Sequence, residues 1–557
     1  MPVPDRRRSA RRARPAPAGC ELVPVRALAL AALLGLIAAC SQPLPSGSTF
    51  APATAAATRG GELRVGHAAD VVTLDPWNAT DAGSLLATRQ VFETLVAQEP
   101  SGPRVEPRLA TRWETSADGR TWTFTLRDAI RFHDGTPFDA AAVAFNFDRA
   151  RDAGHPARGR RGQFALFAAR WTVDGEPLLL KVAATDARTV VFTLRTAFGP
   201  FLADLANPAF AIVSPRSMQG DPDGWMLSGS AAAAGTGPFR FAPGSWQRDG
   251  QLALERNPAY WQTDERGGAL PYLDRVTFRV VPDPAARVAE LRAGTLDVVR
   301  DLPPHELATV RGSPNLSLLA RPPQSVVYLG LSPARAPLDQ LDVRRAVAAA
   351  VNRQALAQGA YSGDGRAASQ LIPPGLLGHD DSVVEFQRYD EASAKRLLAD
   401  AGVARGFETE LSYPAPLRPD EPDMRKVAEA IAADLARVGI RVHLRVVDGT
   451  RTAAREQEEQ RAPMYLGERS AATADPDELL VAWWDPQARA LLHQARVEPA
   501  ESKRAELYKQ VTKMLQQQVP RIPLFHPTRP LAASRKVHGL VPHPSGSEPF
   551  TRVSVGR

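Results

Sequence analysis

Cysteine is nearly missing from this chain. It occurs only at Cys20 and Cys40, so nothing after residue 40 can form a disulfide, a cysteine-ligated metal site or a thiolate nucleophile. A run of apolar residues long enough to cross a bilayer, about 20 residues, is also lacking. The stretch Ala27–Ala39 reaches about thirteen and stops. Walker A, Gly-rich dinucleotide, His-Glu-x-x-His and Gly-x-Ser-x-Gly strings are absent, and Ser332 and Ser545 stand outside any nucleophile elbow. The ten histidines, His526, His538 and His543 among them, follow no zinc spacing and read as loop residues. No cofactor, no metal and no catalytic centre is expected.

Excess charge is lacking too, once it is located. The formal net charge is +7, but residues 1–39 hold seven arginines against Asp5 and Glu21, which leaves +2 for the rest. A nearly neutral body with no basic patch excludes nucleic acid as the partner. The basic leader followed by a short apolar run has the form of a secretory signal. It ends in Leu36-Ile-Ala-Ala-Cys40, which looks like a lipobox whose cysteine thiol accepts diacylglycerol. Ser41–Thr58, rich in Ser, Pro, Ala and Thr, reads as a flexible tether. The expected location is outside the cytoplasm, on a membrane through Cys40.

What is present begins with residues 109–140. Thr121–Leu126 alternates polar and apolar residues as a half-buried strand does, and Asp118-Gly119 and Gly135-Thr136-Pro137 are turn signals. Asp139 is placed to cap a helix carrying Val143, Phe145 and Phe147. Further along, Thr189–Leu194 and Ile440–Val447 read as strands, and Val343–Val351 and Met424–Val438 as amphipathic helices. The literal string at 109–140 resembles the signature region of the extracellular solute-binding proteins of family 5, the dipeptide and oligopeptide receptors of ABC importers. The strings Arg256-Asn-Pro-Ala-Tyr-Trp261 and Pro271-Tyr-Leu-Asp-Arg275 continue the likeness toward the C-terminus.

That resemblance implies an α/β fold of the bilobal periplasmic-binding-protein type, in its three-domain peptide-binding class, with a hinge between lobes. The expected division is a signal peptide at 1–39, a lipid-anchored linker at 40–58, domain I from 59–102, 236–325 and 528–557, domain II at 103–235 and domain III at 326–527. It also implies a monomer that serves an ABC permease and ATPase, with a peptide or peptide-like ligand buried between the lobes.

The resemblance supplies candidate contacts. A zwitterionic peptide can be buried only if each charged end meets an opposite charge with good hydrogen-bond geometry. The family's Arg-Pro-Tyr-Asn-Pro motif falls on Arg418-Pro-Asp-Glu-Pro422, so Arg418 is the candidate carboxylate clamp. Asp420 replaces the tyrosine beside it. The family's Trp-Thr-Gly-Asp-Asn-Gly-Asp-Pro-Asp motif falls on Arg469-Ser470-Ala471-Ala472-Thr473-Ala474-Asp475-Pro476-Asp477. The amine-binding aspartate is thus Ala472, the tryptophan wall is Arg469, and Ser470 and Asp475 complete the candidate lining. Losing the partner of a buried ammonium weakens binding by about 3–5 kcal/mol. An anionic or N-blocked ligand suits these changes better than a free dipeptide. After Leu480 the chain also lacks about fifteen residues usual in the family, which leaves Trp483 and Trp484 in a shortened loop. Asp75, in the loop before the first long helix, is a further candidate for the cleft. Glutathione, haem, a nickel chelate or an opine are alternative ligands, and a non-transporting surface lipoprotein is the alternative role.

Overall fold

A computed structural model describes residues 58–556, apart from 101, 160–161, 174, 220–232, 362–364, 384–387, 416–420, 448–460 and 481–484. The leader, Cys40, the tether, Arg418, Asp420, Trp483 and Trp484 lie outside the described residues. No described helix is long and apolar enough to cross a membrane.

Three sheets, each with its own apolar core, organise the chain. The first has seven strands in the order Phe239–Gln247, Gln251–Arg256, Arg275–Val280, Glu62–His67, Val298–Val299, Leu531–Ser534 and Leu316–Leu319. Glu62–His67 is parallel to both of its neighbours, and its Leu63 and Val65 are fully buried. The second is a four-stranded antiparallel sheet in the order Ala110–Thr115, Thr121–Leu126, Thr189–Leu194 and Leu179–Ala184. Its inner faces carry Trp122, Phe124, Val190 and Phe192, which pack with Phe147, Trp171 and Phe201 into an aromatic core. The third sheet runs Arg441–Val447, Glu408–Pro414, Met464–Ser470, Ser325–Leu331 and Arg521–Phe525. Helices Leu341–Ala350 and Met424–Ala436 cover it, burying Val343, Val347, Val427, Ile431 and Leu435 against Val327 and Leu329.

The alternation read at 121–126 and 189–194 matches the strands residue for residue, with every second side chain buried. Asp139 accepts from the Ala142 amide at 2.9 Å and starts helix Ala140–Arg151. Gly294 ends helix Pro284–Ala293 at φ 77, a left-handed turn that a side chain would strain.

Among the described residues the chain passes between strands of the seven-stranded and five-stranded sheets at two places, 320–324 and 526–530. Those two short connections form the hinge of the bilobal fold. The first and second sheets form one lobe, and the third forms the other.

Candidate ligand-binding site

The strand Met464–Ser470 lies between Ser325–Leu331 and Glu408–Pro414 and delivers residues 471–478 to the lobe boundary. Arg469 is half-buried opposite Val326, and Ser470 is exposed opposite Ser325. The chain then turns, and Asp475 caps the single turn Pro476–Glu478 by accepting from the Asp477 amide at 3.1 Å.

Ala472 sits where the lobes meet. Its carbonyl accepts from Asn207 Nδ2 of the other lobe at 3.0 Å, and its amide donates to Glu478 Oε2 at 2.9 Å. No side-chain carboxylate of its own is present at that position, but Glu478 supplies one against its backbone. Glu478 in turn pairs across the boundary with Arg170 Nη1 at 2.7 Å. Arg170 is almost fully buried and grips Asp204 Oδ1 through Nε at 2.9 Å and Nη2 at 2.5 Å. Trp171 Nε1 donates to the second Asp204 oxygen at 3.0 Å. Burial pushes the Asp204 carboxyl up to about 6, against the pull of Arg170. Asp477, buried near Asp475 and 3.6 Å from Arg496, is likewise pushed up to about 6 by burial.

Four more contacts lie at the boundary and the hinge. Gly199 donates to the Arg496 carbonyl at 2.7 Å, and the Arg496 guanidinium lies over the Phe198 ring. Gln324, in the first hinge segment, donates to the Thr473 carbonyl at 3.3 Å and to Gln98 Oε1 at 3.5 Å. A cavity of about 530 Å³ opens between the loop Pro303–His305 and the helices Arg353–Ala360 and Met424–Ala436. It starts at Glu421, three residues beyond Arg418.

Two sequence candidates prove to be occupied inside the lobes. Asp75 is fully buried, ion-paired to Arg149, and accepts from the Trp77 amide at 3.1 Å and from Asn78 Nδ2 at 2.8 Å. Its carboxylate therefore faces the interior of its own lobe, which corrects the expectation that it faces the cleft. Asp475 is 2% exposed, and its oxygens are taken up by Arg504 at 3.2 Å and Tyr508 at 2.7 Å. It shapes the turn at Ala472 without offering a free oxygen to a ligand. His543 lies in a loop, as read from the sequence. It is buried, and its ring sits between Ser545 Oγ and the Gln98 carbonyl.

Arg170, Asp204 and Asn207 carried no sequence signal, because nothing at 170–207 indicates a partner near 472–478. Glu478 could have been found, since it directly follows the Asp475-Pro-Asp477 string that the resemblance marks.

Residues 104–490 match the family described as bacterial extracellular solute-binding proteins, family 5 Middle. The chain belongs to that family. The dipeptide-binding protein of Escherichia coli K12 is 30% identical over 492 residues, covering 84% of this chain and 89% of that protein. Heme-binding protein A of Haemophilus influenzae is 30% identical over 555 residues, covering 95% of this chain and 98% of that one. Among solved structures, HbpA2 from Haemophilus parasuis superposes with a TM-score of 0.80 at 29% identity, covering 89% of this chain and all of that chain. The family consists of solute-binding proteins of ABC importers that work outside the cytoplasm, and its fold is the bilobal one described above.

Proposed function

We propose that this family 5 protein captures a peptide-like solute with no free ammonium group, by closure of its two lobes, and delivers it to an ABC permease. The observation that carries the reading is Ala472. It stands at the lobe boundary at the position of the amine-binding aspartate, with Arg469 three residues before it on the same segment. A buried ammonium there would meet Glu478 only in competition with Arg170, to which Glu478 is already ion-paired. An acyl-blocked or anionic end needs no such partner.

Arg418 is the proposed clamp for the ligand carboxylate, since a guanidinium fork can hold a carboxylate through two parallel hydrogen bonds. Binding makes and breaks no bond. Ligand touching both lobes stabilises the closed arrangement relative to the open one, and the closed form is what the permease receives. Cys40 anchors the protein through lipid to the membrane from which it works.

The test is a thermal-shift panel of free dipeptides, N-acetylated dipeptides, glutathione and haem on the protein and on Ala472→Asp. A ligand at 100 times its Kd adds about 2.7 kcal/mol of stability, which is seen as a raised Tm. N-acetylated or anionic peptides are expected to shift the parent protein. Ala472→Asp is expected to gain two to four decades in affinity for free dipeptides, the equivalent of about 3–5 kcal/mol. Tight binding of free dipeptides by the parent protein, unchanged in Ala472→Asp, would overturn the reading.

A further inference from the structure

A cavity of about 190 Å³ is shared between the two lobes. The first lobe contributes Val105, Trp113, Trp122 and Leu202 to its wall, and the second contributes Leu377 and Ala474. Trp122 stands on the strand Thr121–Leu126 and is 4% exposed. Its indole Nε1 is buried and has no hydrogen-bond partner among the described residues. The other two buried indoles of this lobe are both served. Trp77 donates to the Ala211 carbonyl at 2.8 Å, and Trp171 donates to Asp204 at 3.0 Å. A buried donor without an acceptor is costly, so an acceptor belongs beside Trp122.

The rest of the wall limits what carries that acceptor. Asp475 and Arg504, the buried charges that line the cavity, are paired with each other at 3.2 Å, and Tyr508 donates to the other Asp475 oxygen. Arg104 and Glu501, of opposite sign, are exposed. No buried charge is left over to meet an ion, so a neutral group suits the cavity. A dry cavity of about 150 Å³ takes a benzene molecule, and this one therefore has room for a group the size of a ring. Ala474 in its wall is two residues beyond Ala472, the position at which an amine end would lie.

Building on the reading that the ligand has no free ammonium, we infer that this cavity is the subsite for its blocked end. It takes a neutral, ring-sized acyl group, such as a benzoyl group, whose carbonyl oxygen accepts from Trp122 Nε1. Both lobes wall the cavity, so a group seated there gains contacts that exist only in the closed arrangement and favours closure. Trp122 thereby selects the kind of block.

The experiment compares alanyl-alanine, N-acetyl-alanyl-alanine and N-benzoyl-alanyl-alanine by calorimetry. The proteins are the parent, Trp122→Phe and Ala203→Phe, whose added ring occupies the cavity. The indole N–H resonance of Trp122, identified by its loss in Trp122→Phe, is followed by NMR in the parent, with N-methylbenzamide as a probe that lacks the peptide. The benzoyl form should bind the parent at least about tenfold tighter than the acetyl form. Ala203→Phe should remove that advantage, and Trp122→Phe should weaken the benzoyl form by about three- to tenfold. The Trp122 resonance should shift saturably with the benzoyl peptide and with N-methylbenzamide. Acetyl and benzoyl forms that bind alike, both tighter than the free peptide, would overturn the subsite and leave the blocked-end reading standing. Free peptide binding as tightly as the blocked forms would overturn that reading; a Trp122 shift with N-methylbenzamide would still support a site for a neutral aryl amide. A Trp122 resonance unmoved by both benzoyl probes overturns the inference and leaves the cavity to water. If Ala203→Phe does not fold, the parent ratio and Trp122→Phe decide on the same criteria.

Discussion

Replacing Asp75 by alanine separates an internal ion pair from a ligand contact. Arg149 is 1% exposed, and its guanidinium lies 4.8 Å from the centroid of the Phe164 ring. Asp75 is its only ion-pair partner among the described residues and also holds the turn at Trp77 and Asn78. Asp75→Ala leaves that guanidinium buried with no anion, for which breaking one side of a buried pair gives about 3–5 kcal/mol of destabilisation. At about 2.1 cal/mol/K of unfolding entropy per residue, a lobe of roughly 290 residues moves in Tm by about 1.6 °C per kcal/mol, so the expected fall is roughly 5–8 °C. The double variant Asp75→Leu, Arg149→Leu removes both charges and should recover most of that loss, because the pair is worth far less than the penalty of half of it. Thermal unfolding by circular dichroism measures all three proteins, and ligand titration runs beside it. An Asp75→Ala protein within about 1 kcal/mol of the parent that has nonetheless lost ligand binding would refute the internal assignment and return Asp75 to the cleft.

Other perturbations test the boundary and the acid response. Glu478→Gln removes the charge joining Arg170 across the lobes, and since Glu478 is more than one-third exposed the loss is about 1 kcal/mol. That shifts the open-to-closed ratio roughly fivefold toward open, visible as a larger radius of gyration in solution scattering; an unchanged radius and unchanged ligand affinity would remove the latch from the account. Burial lowers His67, His133 and His526 to about 4, below their unfolded value, so the unfolded chain takes up protons first as pH falls. Stability is therefore full above about pH 6.5 and is lost toward pH 4, at about 1.4 kcal/mol per pH unit for each histidine. Asp204 and Asp477, raised to about 6, titrate in the opposite sense and offset part of this. His133→Gln should shallow the acid limb by about one proton, and an unaltered slope in urea melts across pH 4–7 would count against the assignment.

The frame was legible where local pattern and tertiary burial agree. Thr121–Leu126 and Thr189–Leu194 alternate because one face of each meets the aromatic core, and the caps at Asp139 and Gly294 follow from backbone chemistry alone. Asp75 shows the limit. Before Pro76 it reads equally well as a cleft carboxylate or as a cap, and only Arg149, 74 positions later, decides between them. The lobe boundary was less legible still. Asn207 reaches Ala472 over 265 positions and Arg170 reaches Glu478 from a helix of the other lobe, so no spacing rule joins them.

The place of Leu531–Ser534 has a consequence for how the chain is made. It is one of the last strands to be synthesised, yet it lies inside the first sheet, between Val298–Val299 and Leu316–Leu319. Until it arrives, Val298–Val299 and Leu316–Leu319 each present an unpaired edge, although nearly everything else has already been translated. The four-stranded sheet at 110–194 and the sheet completed at 521–525 can form in order, but the lobe that begins the protein waits for its end. A nascent chain of this topology stays incompletely folded through almost the whole of its synthesis, which is the condition in which a polypeptide can still be threaded through a narrow pore.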